Sequence, residues 1–315
     1  MDRNNDRNIL LSSGGTGMMT NSQRDLRLFD DRSCNLGEGP IATGPLNNEV
    51  WWVDILGKKA LSKNVFDGST EELAFQEDVG FLIPCSNGDF IAGTASGPVR
   101  MTREGHVSPL PTRKNADGHP DGFSQRWNDA KVAPDGHLWL GTIAYDIQAH
   151  PDGCALYRLD KNGKELTRVI DGVGISNGLA WSADGKTLFF IDSITLSIDC
   201  FDYHDGQISN RRRMWTAPDD SYGVPDGMCI DSEDGLWVAF WGGRKVRRFN
   251  SQFEITDEIE LPQPYVTSCA FAGRDLNLLV ITTARFDQTG EDGDIGKTYV
   301  AKVSITGTST QIFQG

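Results

Sequence analysis

The stretch DGHLWLGTI, from Asp135 to Ile143, joins a two-residue turn signal to a short run of apolar and β-branched residues. Such a run is too short for a stable helix, and an Asp-Gly pair before it is typical of a tight turn between strands. Five other stretches resemble it: EVWWVDI from Glu49, GDFIAGT from Gly88, DGKTLFFIDS from Asp184, DGLWVAFW from Asp234 and DLNLLVITTA from Asp275. The chain therefore repeats a unit built from strands.

The spacing of these stretches predicts the architecture. When they are aligned, successive equivalent positions are separated by 40, 48, 50, 48 and 42 residues, at Val50, Phe90, Leu138, Leu188, Leu236 and Leu278. A period of about 40 to 50 residues in a β-rich chain is typical of propeller blades. We expect an all-β fold, a six-bladed β-propeller with four strands in each blade.

Closure of such a ring requires the two ends of the chain to share one blade. The segment Asp25 to Phe29 and the segment TYVAKVSI from Thr298 are the strands expected to do so. We therefore predict a single propeller domain over residues 23–315. Residues 1–22 are polar and rich in Gly and Ser near Ser12, and this composition predicts a flexible N-terminal tail.

Bulk composition excludes several classes of partner. The formal charge of −14 and the pI near 4.8 disfavour binding to nucleic acid or to anionic membranes. No stretch approaches the roughly 18 consecutive apolar residues of a membrane span, so we predict a cytoplasmic protein without a membrane partner. The six scattered cysteines include no C-x-x-C pair, which favours buried, reduced thiols.

The repeat also aligns a set of polar residues. Between 10 and 12 residues upstream of the aligned positions lie Glu38, Asn128, Asn177 and Asp226, and the other two blades have Gly80 and Ser268 near this point. Equivalent residues of propeller blades surround one axis, so we expect these side chains to form a ring. Glycine follows three of them, Glu38, Asn177 and Asp226, which suggests close approach of backbones at the axis.

Carboxylate and amide oxygens are hard ligands. Two carboxylates and one amide carbonyl suit one divalent ion such as Ca²⁺, Mg²⁺ or Mn²⁺, and Zn²⁺ also accepts carboxylates. The ring therefore predicts a metal site, although Asn-Gly and Pro-Asp-Gly are also ordinary turn sequences.

Sequence patterns that would indicate other kinds of active site are weaker than the ring. The stretch Gly174 to Gly178 matches G-x-S-x-G, but the sequence after Ser176 predicts two strands and a turn, whereas a nucleophile elbow requires a helix. The histidines have no metal-binding spacing. Trp127 and Trp241 could line an apolar wall, with burial as the ordinary alternative.

Several motifs resemble those of the regucalcin/gluconolactonase family of metal-dependent sugar lactonases. They include GEGP at Gly37, RWNDAKVAPDGHLWLGT at Arg126, ISNGLAWS at Ile175 and PDGMCID at Pro225, and the resemblance extends from about Leu36 to the C-terminus. It implies a six-bladed propeller that opens an aldonolactone, such as glucono-, arabino- or xylonolactone, to the sugar acid.

The resemblance also implies roles for individual residues. Glu38, Asn177 and Asp226 correspond to the metal ligands of the family, and Arg126 and Asn128 to its substrate-binding residues. A substrate-contacting glutamate of the regucalcin branch is replaced here by Asp146. On this basis Asp226 is expected to be both ligand and general base, while the sugar preference stays open.

Two alternatives remain at this stage. The same metal and water could hydrolyse a phosphotriester or another ester, or the propeller could bind calcium or a protein partner without turnover. Arg126 beside Asn128 favours an enzyme, because a purely metal-binding scaffold needs no groups that bind a polyol.

Overall fold

The computed structural model describes residues 25–112, 123–286 and 295–315, and these contain 24 strands in six antiparallel four-stranded sheets. The first three sheets in chain order are β2–β5 (Gly37–Thr43, Glu49–Asp54, Lys59–Asn64, Thr70–Ala74), β6–β9 (Val79–Pro84, Phe90–Thr94, Pro98–Met101, Val107–Pro109) and β10–β13 (Gln125–Val132, Leu138–Ala144, Cys154–Leu159, Leu166–Val173). The next two are β14–β17 (Ser176–Trp181, Thr187–Asp192, Ser197–His204, Gln207–Thr216) and β18–β21 (Val224–Ile230, Leu236–Trp241, Lys245–Phe249, Ile255–Glu260).

The sixth sheet closes the ring with both ends of the described chain. It contains β22 (Val266–Ala272), β23 (Leu278–Thr283), β24 (Thr298–Lys302) and β1 (Arg27–Asp30), and β1 pairs with β24 at Arg27 and Val300. The predicted sharing of one blade by the chain ends is therefore confirmed, as is the six-bladed propeller. The tail predicted over residues 1–22 lies outside the described residues.

The six stretches that defined the repeat all form the second strand of a blade. EVWWVDI forms most of β3, and DGHLWLGTI supplies the turn and most of β11. The first strand of each blade is innermost, because β2, β6, β10, β14, β18 and β22 contact one another in sequence around the axis. We call the face at which these inner strands begin the entry face.

Large apolar side chains fill the space between blades. Trp139 of the third blade packs against Trp181 and Tyr203 of the fourth, with ring centroids 6.2 and 5.9 Å apart. Trp51 and Phe90 join the first two blades at 4.9 Å. All five of these rings are buried. Because aromatic burial contributes strongly to core energetics, each blade is stabilised mainly by its neighbours.

The C-terminal segment crosses the face opposite the entry face. Gly307 pairs with Asp231, and Phe313 pairs with Cys85 in parallel orientation. The Phe313 side chain is completely buried in the core of the first three blades. All six cysteines are buried thiols, as the sequence predicted. No helix among the described residues is long and apolar enough to cross a membrane.

Candidate metal centre and substrate site

Every inner strand is irregular at the same height, close to the entry face. A β-bulge adds a residue to one strand and re-aims its side chains. Here the interruptions lie between Glu38 and Ile41, Val79 and Leu82, Trp127 and Ala130, Ser176 and Leu179, Pro225 and Met228, and Val266 and Ser268. At each bulge, one or two residues of the inner strand are out of register with the second strand, and the six bulges surround the axis.

The polar residues selected by the repeat lie at these bulges. Asn128, Asn177 and Asp226 fall inside them, whereas Glu38 directly precedes the bulge of β2. In the sixth blade the bulge contains Thr267, and Ser268 directly follows it.

Glycine is required beside the ring residues for two different physical reasons. A Cβ on Gly227 would lie 2.1 Å from the Ser268 Oγ, and one on Gly178 would lie 2.8 Å from the Asp226 carbonyl oxygen. Close approach at the axis is thus confirmed for these two. Gly39 has open space around its Cβ position but a φ of +53°, so its requirement is a left-handed backbone.

A chain of hydrogen bonds links three blades at the ring. Arg126 Nη1 donates to Asn128 Oδ1 at 2.6 Å, and Asn128 Nδ2 donates to Asn177 Oδ1 at 2.8 Å. Asn177 Nδ2 then donates to Ser193 Oγ at 2.8 Å, and that hydroxyl donates to the Pro225 carbonyl oxygen at 2.7 Å. The chain orients the Asn177 amide so that its oxygen lies on the Asn128 side.

Burial and mutual repulsion of the two ring carboxyls outweigh the compensation that Arg126 and backbone N–H groups give them. Burial raises the pKa of the Glu38 carboxyl to about 8, and the charge of Asp129 raises it further. Burial also raises the pKa of Asp226 well above its ordinary value, with added repulsion from Glu38 and Asp129. Asp226 Oδ1 is buried and accepts no hydrogen bond from the residues that the structure describes.

This arrangement fits a divalent cation. Buried carboxylates that repel one another are stabilised by a bound metal ion, and an unpartnered buried oxygen is an available ligand atom. Asp226, Glu38 and the Asn177 amide oxygen are the three groups that could bind it, and all three supply hard oxygen ligands.

Arg126 lies in the same electrostatic environment. Its side chain is buried, its Nη1 also donates to the Trp127 carbonyl oxygen, and burial lowers its pKa. The charges of Glu38 and Asp226 oppose that shift. A buried guanidinium beside the ring can bind substrate oxygens through the donors that remain.

Tyr145 is a neighbour that the sequence did not identify. Its hydroxyl donates to Asp78 Oδ2 at 2.8 Å, and burial together with this bond raises the pKa of the phenol to about 12. Tyr145 also interacts electrostatically with Arg126. Only its position directly after the GTIA stretch could have indicated it.

Asp146 occupies a different environment. It is exposed, in the turn after β11, and its Oδ1 accepts from the Ala149 backbone N–H at 3.0 Å. The structure does not bring it into the hydrogen-bond chain of the ring, so its predicted contact with substrate stays a prediction.

The serine of the G-x-S-x-G match does not lie in an elbow. Ser176 is the first residue of β14, and its buried Oγ has no hydrogen-bond partner. His204, the histidine downstream of it, ends β16 on the opposite face. This geometry agrees with the sequence analysis, which argued against a catalytic serine at this position.

A second group of potential metal ligands lies on the face opposite the entry face. Asp135, His137 and Asp205 have ligand atoms within 4.8 Å of one another. They already have partners: His137 Nδ1 lies 3.0 Å from Asp135, Tyr203 donates to Asp135 at 2.8 Å, and Lys161 pairs with Asp205 at 2.9 Å. A resident ammonium group makes this cluster a poorer cation site than the ring.

Comparison with known proteins places the chain among characterised folds. The family model described as SMP-30/Gluconolactonase/LRE-like region matches residues 36–285. Regucalcin of Danio rerio is 32% identical over 266 residues, which cover 81% of this chain and 85% of the relative. A Bacillus subtilis protein named as sugar lactone lactonase YvrE is 34% identical over 275 residues, covering 85% and 90%. The crystal structure of regucalcin, a calcium-binding protein, from Agrobacterium tumefaciens has a TM-score of 0.82 at 22% identity, covering 93% of this chain and 97% of that one.

Proposed function

The chain belongs to the SMP-30/gluconolactonase/LRE-like family, and from this premise we propose that it hydrolyses a sugar lactone to the open-chain acid with one divalent cation. The substrate class is an aldonolactone such as glucono-, arabino- or xylonolactone. The observation that carries the proposal is the buried, unpartnered Oδ1 of Asp226 among carboxylates that repel one another.

A cation held by Glu38, Asn177 and Asp226 would supply Lewis-acid stabilisation of the negative charge that develops on the lactone carbonyl oxygen. Calcium has support from the calcium-binding relative of the same fold, and Zn²⁺, Mn²⁺ and Mg²⁺ are also compatible with oxygen ligands.

The residues of the chain have distinct roles in this proposal. Asp226 accepts a proton from the attacking water, as a general base. Arg126 and Asn128, which already bond to each other at 2.6 Å, hold hydroxyl groups of the sugar ring and so fix the reacting carbonyl. Ser193 keeps the Asn177 amide in its orientation through the 2.8 Å bond.

Acid release from a panel of lactones tests the proposal. Purified protein is treated with EDTA and assayed alone and after addition of Ca²⁺, Zn²⁺, Mn²⁺ or Mg²⁺, with a phosphotriester and a simple aryl ester in parallel. We expect turnover of aldonolactones that is lost with EDTA and restored by at least one metal. A protein that binds metal yet hydrolyses no lactone would support the non-catalytic alternative, and preference for the phosphotriester would support the other one.

A further inference from the structure

Three aromatic side chains form a cluster on the entry face. Trp241 and Tyr265 are stacked with ring centroids 4.4 Å apart and an interplanar angle of 28°. Phe286 is nearly perpendicular to both, at 5.0 Å from Trp241 and 5.6 Å from Tyr265. We call Trp241, Tyr265 and Phe286 the rim aromatics.

The strand pairing places the rim aromatics on the same side of the ring as the entry face. Trp241 of β19 pairs with Val224 of β18. Asp226 follows Val224 by two residues in β18, which corresponds to about 7 Å farther from the entry face at the usual rise per residue. Tyr265 directly precedes the inner strand β22 and forms a bridge with Trp241. Trp241 therefore lies at the entry-face end of the strand that carries Asp226.

The other side of the cluster reaches the first blade. The Phe286 backbone N–H donates to the Asn35 carbonyl oxygen at 3.0 Å, and Glu38 follows three residues later. The rim aromatics consequently span the gap between the blade of Asp226 and the blade of Glu38. Between these two blades the inner strand β22 carries the small residues Thr267 and Ser268.

The rim aromatics are more exposed to solvent than the aromatic side chains of the core. The Phe286 side chain is 57% exposed, and Trp241 and Tyr265 are both partly exposed. Trp127, the other candidate for an apolar wall, is completely buried and packs against Tyr157 at 5.3 Å. Of the two tryptophans, Trp241 is thus the one that can meet a ligand.

We propose that the rim aromatics bind an apolar substituent of the substrate, so that an alkyl or aryl group on the lactone ring raises kcat/KM beyond what the polar contacts of Arg126 and Asn128 supply. This inference rests on the proposed lactonase function. Mutual stacking covers one face of both Trp241 and Tyr265, and the Phe286 ring, which packs nearly perpendicular to both, is the most exposed of the three. Arg285, the charged neighbour, is directed to Ser33 Oγ at 3.4 Å.

An apolar surface of this kind favours hydrocarbon over a second sugar ring. A sugar platform needs an open flat face bordered by polar groups, whereas burial of each methylene by aromatic edges raises affinity or kcat/KM up to about fourfold.

The test uses lactones that differ only in the substituent. Values of kcat/KM are measured for γ-valerolactone, with a methyl group, and γ-nonalactone, with a pentyl group. We expect a ratio of at least about tenfold for four added methylenes. Phe286→Ala is expected to reduce the ratio to near one. Phe66→Ala is the matched control, since Phe66 is 56% exposed in the hairpin between β4 and β5 on the opposite face, and it should leave the ratio unchanged.

Three outcomes would overturn the inference. Equal kcat/KM for the two lactones in a protein that turns over gluconolactone rejects it and leaves the proposed function intact. An unchanged ratio in folded Phe286→Ala, with circular dichroism like wild type, also rejects it. So does a preference for a disaccharide lactone without any gain from the pentyl group.

A protein without lactone turnover would refute the proposed function, and binding then decides the inference. Calorimetric affinity for γ-nonalactone should exceed that for γ-valerolactone in wild type and not in Phe286→Ala. Equal affinities in wild type would reject a role for the rim aromatics.

Discussion

Asn128 donates from Nδ2 to Asn177 Oδ1 at 2.8 Å, and this bond joins the third and fourth blades at the channel axis. The same Asn177 amide is fixed on its other side by Ser193, a residue of the short 3-10 helix Ser193–Thr195 after β15. A ligand residue bonded on both sides is held in one orientation, which lowers the cost of organising a metal site.

Two buried serines beside Asn177 provide a matched pair of variants. Ser193→Ala removes the bond that orients the amide, and we expect metal affinity to fall about 10-fold to 100-fold. Ser176→Ala removes an Oγ that has no partner, so metal affinity and activity should be retained. Metal titration by calorimetry separates the two. Loss of turnover in Ser176→Ala with intact metal binding would revive the serine-hydrolase interpretation.

Asp146 and Tyr145 are competing candidates for control of sugar preference. If Asp146 replaces the glutamate of the regucalcin branch, Asp146→Glu should change the ranking of sugar lactones and leave metal affinity unchanged. Tyr145→Phe instead removes the hydroxyl bound to Asp78 near Arg126. Relative kcat/KM over the lactone panel is the measurement. An identical ranking in wild type and Asp146→Glu would reject Asp146 and leave Tyr145 as the candidate.

The ring carboxylates predict a pH dependence of stability in the absence of metal. The pKa of Glu38 rises from 4.5 to about 8 on folding, so the folded state keeps a proton that the unfolded chain releases. Its contribution to stability is fully present below pH 4.5 and is lost as the pH rises through 8. We expect the Tm in EDTA to decrease from pH 5 to pH 9.

Asp226→Asn removes one of the two ring carboxyls, both of which have a raised pKa, so the Tm of this variant should decrease less over this range. Addition of metal at pH 9 should raise the Tm of wild type. Parallel plots of Tm against pH for wild type and Asp226→Asn in EDTA would contradict the assigned repulsion between Glu38 and Asp226.

A buried ion pair within the fifth blade, between Asp231 and Arg248, predicts the effect of a substitution on stability. Asp231 is completely buried and accepts from Arg248 Nε at 2.7 Å and from Trp237 Nε1 at 2.9 Å. Asp231→Ala leaves the Arg248 guanidinium buried without its main partner, and the free energy of unfolding should fall by about 3–5 kcal/mol. Asp205→Ala, which breaks the exposed pair with Lys161, should change the free energy of unfolding far less. Urea denaturation checks both values.

The sequence predicted the blades because each one repeats a turn and a buried strand at nearly constant spacing. It predicted the ring because equivalent positions of blades surround one axis. The bulges of the inner strands were not predicted, since a β-bulge adds a residue without a recognisable signal. Ser193 and Tyr145 were missed because loops after second strands bring them to the ring.

The rim aromatics were only partly visible from the sequence. Trp241 could be named as a wall candidate, but its partners Tyr265 and Phe286 are 24 and 45 residues away along the chain. Only the packing of the fifth blade against the sixth brings them together.

The central claim is that Asp226 serves both as metal ligand and as general base, and Asp226→Asn tests it most directly. Turnover of an aldonolactone is measured at saturating metal, with the bound metal quantified in the same sample. We expect the variant to fold, and excess metal to restore occupancy without restoring the rate, which should stay at least about 10² to 10⁴ below wild type. Near wild-type turnover in metal-loaded Asp226→Asn would contradict the account.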